Sequence, residues 1–308
     1  MGRRRGGAAI DGWLVIDKPA GLTSAAVVGK ARRLTGAAKV GHAGTLDPLA
    51  TGILPLAFGE ATKTVSFAMD GSKIYRFTVR WGEARDTDDS EGAITATSGR
   101  RPSEEEVRAV LPAFSGEIDQ VPPDYSAIKV AGRRAYALAR TDQAPGLEAR
   151  PVRIDRLALI AIPDPDHAVF EAEVGKGTYV RGLARDMGLR LETFGHISEL
   201  RRTRVGPFAE AQAISLEMLG TLGHSARLAE VMLPVATALD DIPVLAVTEA
   251  EARRLGHGQA IPVLPVVART PLTAVTQGAV VCAMTEGKPV ALARISGGEI
   301  RPWRVLNL

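Results

Sequence analysis

The order of apolar and polar positions along the chain predicts short strands and helices in mixed succession. Gly12-Trp13-Leu14-Val15-Ile16 is an unbroken apolar run, which predicts a buried strand ending in the turn Asp17-Lys18-Pro19. Thr23-Ser24 precede AAVVGKARRL, which predicts a capped helix with a small-residue face and a basic face. Residues 39–52 carry glycines at 41, 44 and 52, a proline and few large apolar side chains, and read as a loop. Residues 73–81 (KIYRFTVRW) alternate as a strand does, and the acidic stretch 86–91 reads as a solvated turn. Ser103 with Glu106 three residues on forms a capping box that opens a helix running to about Phe114.

Residues 120–150 are rich in Pro, Gly, Tyr and Arg and read as an inserted basic loop with one short helix. Strands near 153–162 and 169–174 lead through Gly175-Lys176-Gly177-Thr178-Tyr179-Val180-Arg181 into a helix at 182–191, and a strand at 199–205 closes the region. From Pro243 the texture changes. Thr248 and Glu251 cap a helix, Gly256 stops it, and short Val- and Ala-rich strands run to Leu308. The expected organisation is a flexible basic arm at 1–9, a body at 10–242 carrying the insertion, and a small, mostly β module at 243–308.

Composition narrows the chemistry. With 308 residues, 45% apolar and 24% charged, the chain has the makeup of a folded globular protein of about two domains. A net charge of +3 is compatible with a polyanionic partner without requiring one. Its distribution says more: residues 18–59 hold five Lys or Arg and one acid, Asp47. The single cysteine, Cys282, excludes an intrachain disulfide framework and a multi-thiolate metal site, so a reducing, cytoplasmic setting is expected. The five histidines are scattered without metal-ligand spacing. Asp11 and Asp17 interrupt the N-terminal apolar run, which argues against a secretory signal, and no apolar stretch approaches the roughly 18 residues of a membrane span.

Each candidate residue admits a chemical and a structural role. Asp47, in the Gly-rich loop, can act as nucleophile or base, or it can cap a turn ahead of Pro48. Tyr179 and Arg181 alternate on a predicted strand, so they either offer a ring and a cation to one ligand or form a half-buried strand with a snorkelling Arg. Tyr75, between Lys73 and Arg76, is a base-stacking residue or a core tyrosine. Leu200-Arg201-Arg202-Thr203-Arg204 is a phosphate-binding segment or a solvated edge strand. His42 alone reads as structural, and the acids of 86–91 read as turn and surface.

Taken in order, DKPAGLTS (17–24), KVGHAGTLDPLATGILP (39–55), KIYRF (73–77), PPDYSAIKVAGRRAYALAR (122–140), GKGTYVRGLARDMG (175–188) and LRRTRVGPF (200–208) span nearly the whole chain. In these segments it resembles the TruB family of bacterial tRNA pseudouridine-55 synthases. The resemblance implies isomerisation of a T-loop uridine to pseudouridine: the N-glycosidic bond is cut, the uracil turns, and a C-glycosidic bond forms. No cofactor and no metal are implied, and the target nucleotide must flip into the pocket. The aspartate matching Asp47 is implied to be essential, whether it adds to the base, adds to the ribose or deprotonates the sugar.

The resemblance further implies that Tyr75 stacks on the uracil and that Arg181 pairs with Asp47, favouring the charged carboxylate. Tyr179 and Leu200 are implied to line the pocket, Lys18 and Pro19 to support the catalytic loop, His42 to lie near the flipped nucleotide, and Lys129 to help hold the insertion on RNA. The implied fold is α+β, a pseudouridine synthase core with a central mixed, largely antiparallel sheet, plus a mostly β, PUA-like C-terminal domain. The implied partner is the T-arm stem-loop of tRNA, with no membrane, and the chain is expected to act as a monomer. The insertion favours a stand-alone enzyme over guide-RNA-dependent relatives. Ala43 and Arg85 stand where the family often has Thr. A tRNA-binding folding factor, with isomerisation secondary, is the competing function; a carboxylate set among cations favours chemistry.

Overall fold

The computed structural model describes residues 7–126, 128–130, 133–134, 146–223, 225–270 and 277–308. The first apolar run forms strand β1 (Gly12–Lys18). It is longer than the sequence pattern predicts, because Asp17 and Lys18 pair with Ile53 and Gly52 and do not turn. Leu14 and Ile16 enter one apolar cluster while Trp13 and Val15 enter another on the opposite face. A strand covered on both faces needs apolar residues at every position, which accounts for the unbroken run. Helix α1 (Ser24–Thr35) follows, its N-terminus capped by the Thr23 side chain and its C-terminus closed by Gly36 at φ 64°.

The predicted loop at 39–52 is shorter in the structure. Val40–His42 is strand β2, and Thr51–Phe58 is strand β3, so the loop proper is residues 43–50. Strand β3 contains Pro55 in the interior of the sheet. It is tolerated because β3 forks there: the parallel partner leaves at Gly52 and β2 joins at Leu56. The missing N–H of Pro55 falls on that open side, where its carbonyl accepts from Ala43 N at 2.9 Å.

Helix α2 (Val65–Asp70) and strand β4 (Lys73–Trp81) come next, then the hairpin β5 (Glu83–Arg85) and β6 (Ile94–Thr97) and the box-capped helix α3 (Glu104–Val110). Strand β7 (Gly116–Gln120) precedes the insertion, where β8 (Lys129–Val130) pairs with β9 (Arg133–Arg134). Strands β10 (Arg150–Asp164) and β11 (His167–Val174) lead to helix α4 (Val180–Arg190), β12 (Gly195–Val205), β13 (Phe208–Ala209) and β14 (Ala213–Ser215).

Ten of these strands make one sheet in the order β14-β1-β3-β12-β4-β11-β10-β7, with β2 beside β3 and β13 beside β12. Pairings are antiparallel except β1 with β14 and β3 with β12. Strand β12 is therefore an inner strand and not a solvated edge, and of its three arginines Arg202 is buried, Arg201 half-buried and Arg204 exposed. Helix α4 lies close against it: a Cβ added at Gly188 would meet Gly195 N at 2.4 Å. Leu183 and Met187 of that helix join Phe77, Val79, Trp81 and Phe170 in the main core.

The C-terminal module is a five-stranded sheet, β15 (Val244–Ala246), β17 (Val280–Thr285), β18 (Lys288–Ser296), β19 (Glu299–Val305) and β16 (Ile261–Pro262) in spatial order, with the box-capped helix Glu249–Gly256 against it. Its own core includes Leu245, Leu255, Ile261, Val281, Ala291 and Ile300. It is joined to the body by the cluster Leu239, Cys282, Leu292, with Phe67 and Met284 packed on it. Side-chain donors to main-chain carbonyls tie the same junction: Lys63 Nζ donates to Val305 O at 2.8 Å and Arg304 Nη1 to Lys63 O at 3.1 Å. No helix among the described residues is long and apolar enough to cross a membrane.

Candidate active site

The loop of residues 43–50 is fixed from behind by side chains that bond its main chain. Ser24, the first residue of α1, accepts from Leu46 N at 2.8 Å and donates to Leu46 O at 3.0 Å. Lys18, fully buried, donates to the carbonyls of Pro48, Leu22 and Pro19 at 3.1, 2.8 and 2.9 Å. Arg202, 1% exposed, donates to Ile53 O at 2.8 Å, Gly44 O at 3.1 Å and Thr45 O at 3.4 Å. A cation taken out of water is costly unless its donors are filled, and here carbonyls fill them. Gly52 makes the approach possible: its φ is +98°, and a Cβ there would stand 2.2 Å from Arg202 O.

Held in this way, the loop presents Asp47 to Arg181. Arg181 Nε lies 2.9 Å from Asp47 Oδ2, with the arginine side chain 5% exposed and the aspartate 35%. The rest of the guanidinium is fixed by Thr87 O at 2.8 Å and Tyr125 O at 2.9 Å, and Asp89 Oδ2 stands 3.6 Å from Nε on the protein side. Asp47 Oδ1 receives no hydrogen bond from the described residues. The carboxylate is thus oriented through one oxygen and leaves the other open.

In front of it lies a cavity of about 320 Å³, lined by Gly44 to Asp47, Met69, Lys73, Tyr75, Ser126, residues 174–181, Leu200 and Arg202. That volume is at the small end of the ligand-binding range of roughly 300–1,000 Å³. Asp47 is the one carboxylate among the lining residues. Burial raises the Tyr179 hydroxyl above its ordinary value, so it stays protonated at neutral pH. Burial pulls Lys18 and Lys73 down to about 8. Lys73 bonds the carbonyls of Met69 and Gly71 and so secures the cavity-side end of α2. Burial and the Arg202 charge lower His42, which is therefore neutral at pH 7. Among the described residues no group of three or more His, Cys, Asp or Glu is placed to hold a metal ion.

Of the residues singled out in the sequence, Asp47, Tyr75, Tyr179, Arg181 and Leu200 meet at this cavity. Lys18 lies behind the loop, and Pro19 is an exposed residue whose carbonyl receives a Lys18 bond. His42, on β2, is half-buried and outside the cavity lining. The Lys129 side chain, and much of the insertion at 120–150, lie outside the described residues, as does most of the arm at 1–9.

Three local expectations are corrected. Tyr179 and Arg181 do not alternate on a strand: Tyr179 is the N-cap of α4 and Arg181 is in its first turn. The acids of 86–91 are not all surface, since Asp89 is 3% exposed and the Asp88 side chain meets Arg185 at 2.9 Å, where burial raises Asp88 to about 6. Among the arginines of β12, Arg202 supports the loop from within, and Arg201 pairs with Asp17 and Glu210. Ser24 and Arg202 fall inside the motif segments 17–24 and 200–208, but their role as braces of the loop, like that of Asp89 and of the carbonyls of Thr87 and Tyr125, was not read from the sequence. The glycines at 44 and 52, across from Arg202, are the signal that points to it.

The architecture has close counterparts. The chain aligns over 96% of its length with 85% of a chain in a Cbf5-Nop10-Gar1 complex, at TM-score 0.75 and 26% identity. An H/ACA RNP bound to a substrate RNA containing 2'-deoxyuridine has a chain of the same fold, at TM-score 0.74 and 23% identity over 100% of this chain and 92% of that one. The fold is that of the pseudouridine synthases of this structural group. Residues 32–180 match the TruB family pseudouridylate synthase (N terminal domain), and residues 181–240 match the tRNA pseudouridylate synthase B C-terminal domain. The tRNA pseudouridine synthase B of Rhodospirillum rubrum is 56% identical over 308 residues, 100% of both chains, and that of Caulobacter vibrioides 53% over 309 residues, again 100% of both. The chain belongs to the TruB family.

Proposed function

We propose that this protein isomerises a uridine of tRNA to pseudouridine, at position 55 in the T-loop, in the cavity faced by Asp47. The observation that carries the reading is a single cavity-facing carboxylate, held by a buried arginine and placed on a loop pinned at four points. The reaction breaks the C1'–N1 bond and forms C1'–C5; C5 loses a proton and N1 gains one. Nothing is oxidised or reduced, so no redox cofactor is required. A base in a folded loop is out of reach of this cavity, so the nucleotide flips in, with Tyr75 beneath the uracil and Tyr179 and Leu200 at its sides. Arg181 keeps Asp47 oriented for the displaced bond, and Lys18, with the Pro19 carbonyl, keeps the loop from yielding.

Lys129 and the insertion grip the T-arm, His42 fills space beside the flipped nucleotide, and the module at 243–308 is a PUA-like RNA-binding domain appended to the body at 10–242. The cavity is complete within one chain, and the protein acts as a monomer. A folding factor would have no use for a buried arginine committed to one loop carboxylate.

The test is incubation with an unmodified tRNA transcript, without metal or cofactor, followed by mapping of pseudouridine at nucleotide resolution. One new pseudouridine in the T-loop is expected. Tight binding without product would favour the folding factor, and product elsewhere in the tRNA would overturn the position while leaving the chemistry.

A further inference from the structure

Of the three tryptophans, Trp13 and Trp81 are 0% and 2% exposed, whereas Trp303 is 45% exposed. Its exposure follows from a break in the ladder. Arg304 pairs with Leu292 and Pro302 with Ala293, so Trp303 is the extra residue of a bulge in β19 and is turned out of the sheet. Two guanidiniums lie over the ring, Arg304 at 4.8 Å and Arg294 at 5.3 Å from its centroid. Arg294 joins no ion pair among the described residues.

The position of the ring relative to the active site comes from α2. The Phe67 ring meets Trp303 nearly edge-on, with centroids 6.4 Å apart at 72°. Met69, two residues further along the same short helix, is 37% exposed and lines the catalytic cavity. The same short helix therefore contributes Met69 to the cavity wall and Phe67 to the contact with Trp303, and two cations stand at that ring. A flat exposed ring beside a guanidinium that joins no ion pair among the described residues suits a nucleotide chain, with a base on the ring and its phosphates on the cations.

We infer that Trp303, Arg294 and Arg304 form a second contact for the RNA whose uridine enters the cavity: a base outside the cavity stacks on Trp303 and the neighbouring phosphates meet the two arginines. This rests on the cavity being a uridine site. It assigns the C-terminal module a defined nucleotide contact, reached by way of α2.

Because the other two tryptophans are buried, acrylamide quenching of intrinsic fluorescence reports on Trp303. Adding an unmodified tRNA transcript is expected to protect that emission, and Trp303→Phe to remove the protected signal. Trp303→Ala is expected to weaken tRNA binding by about tenfold, with the loss falling on KM. Arg294→Gln, which removes a guanidinium with no ion-pair partner among the described residues, reduces the salt dependence of binding by about one unit of slope. A transcript that is bound and isomerised while Trp303 stays equally open to acrylamide, with both variants binding as wild type, overturns this contact and leaves the proposed activity intact. A transcript neither bound nor isomerised overturns the activity and the contact with it. Protection by an acidic peptide such as polyglutamate, but not by RNA, overturns the RNA contact in favour of an acidic protein partner.

Discussion

In the cavity wall, Arg181 is 5% exposed and commits its guanidinium to Asp47 and to the carbonyls of Thr87 and Tyr125. In the C-terminal module, Arg294 lies over an exposed ring and joins no ion pair among the described residues. Both are arginines, yet their surroundings suit opposite tasks. A buried cation is tolerable only when its donors are filled, and filling them fixes its position and that of the carboxylate it holds. An exposed cation is cheap to hold, adjusts to its partner and is weakened by salt. Chemistry at one atom needs the first arrangement, and retention of a long flexible polyanion needs the second.

Removing a buried cation should be far more damaging than removing an exposed one. Arg202→Met leaves the carbonyls of Ile53, Gly44 and Thr45 unpaired and frees the loop that carries Asp47. At about 1 kcal/mol or more for each unsatisfied carbonyl, we expect about 3 kcal/mol lost in urea unfolding and at least a hundredfold slower single turnover. A variant as stable and active as wild type would remove the pinning of the loop from the account.

A smaller effect is expected behind Arg181. Asp89 accepts from Thr87 Oγ1 at 2.6 Å and Glu91 N at 3.1 Å, with its second oxygen toward the arginine. Asp89→Asn keeps the shape and removes the charge. Single-turnover rate should fall about tenfold at unchanged RNA affinity, as for a group that acts through Arg181. A change in affinity alone would place Asp89 on the RNA instead.

The pH dependence separates rigidity from stability. Above about pH 8, Lys18 and Lys73 lose their protons. Neutral Lys18 has two N–H groups for three carbonyls, so the loop loosens and the rate falls as pH rises through 8. Their contribution to folding has the opposite sign. Both bind a proton more weakly folded than at the ordinary 10.5, so their burial costs stability below pH 8, and that cost is relieved as pH rises toward 10.5. Rates and melting temperatures measured together from about pH 7 to 9 should therefore diverge. A parallel fall would indicate partial unfolding and not a loosened loop.

Much of this frame was legible from residue order. The run at 12–16, the Thr23 and Ser103 caps and the alternation at 73–81 each express a local rule, and strands or capped helices stand at those places, β1 running two residues past its predicted end. Pro55 hid β3, because a proline reads as a break and only the fork of the sheet makes it harmless. Tyr179 and Arg181 read as strand because Val180 between them is apolar, whereas the helix starts at Val180, two residues earlier than its pattern. Asp89 and Arg202 read as surface because charged residues usually are. Their burial depends on partners far along the chain, Arg181 for one and the carbonyls of 44–53 for the other, and no local pattern records such pairings. The cavity residues with a chemical signature, a carboxylate, two tyrosines and an arginine, stood out in the sequence, as did Lys18 behind the loop; Ser24, Arg202 and Asp89, which brace them through distant partners, did not.

We propose that the chemistry resides in Asp47, which Arg181 and the braces of its loop hold in place. The direct test is the single-turnover rate of Asp47→Asn at saturating tRNA transcript, with binding measured on the same sample. Asparagine preserves the size of the side chain and an oxygen for Arg181, so we predict binding within about twofold of wild type and no pseudouridine formed. Pseudouridine accumulating at a measurable fraction of the wild-type rate would contradict the claim and move the chemistry to another group in the cavity.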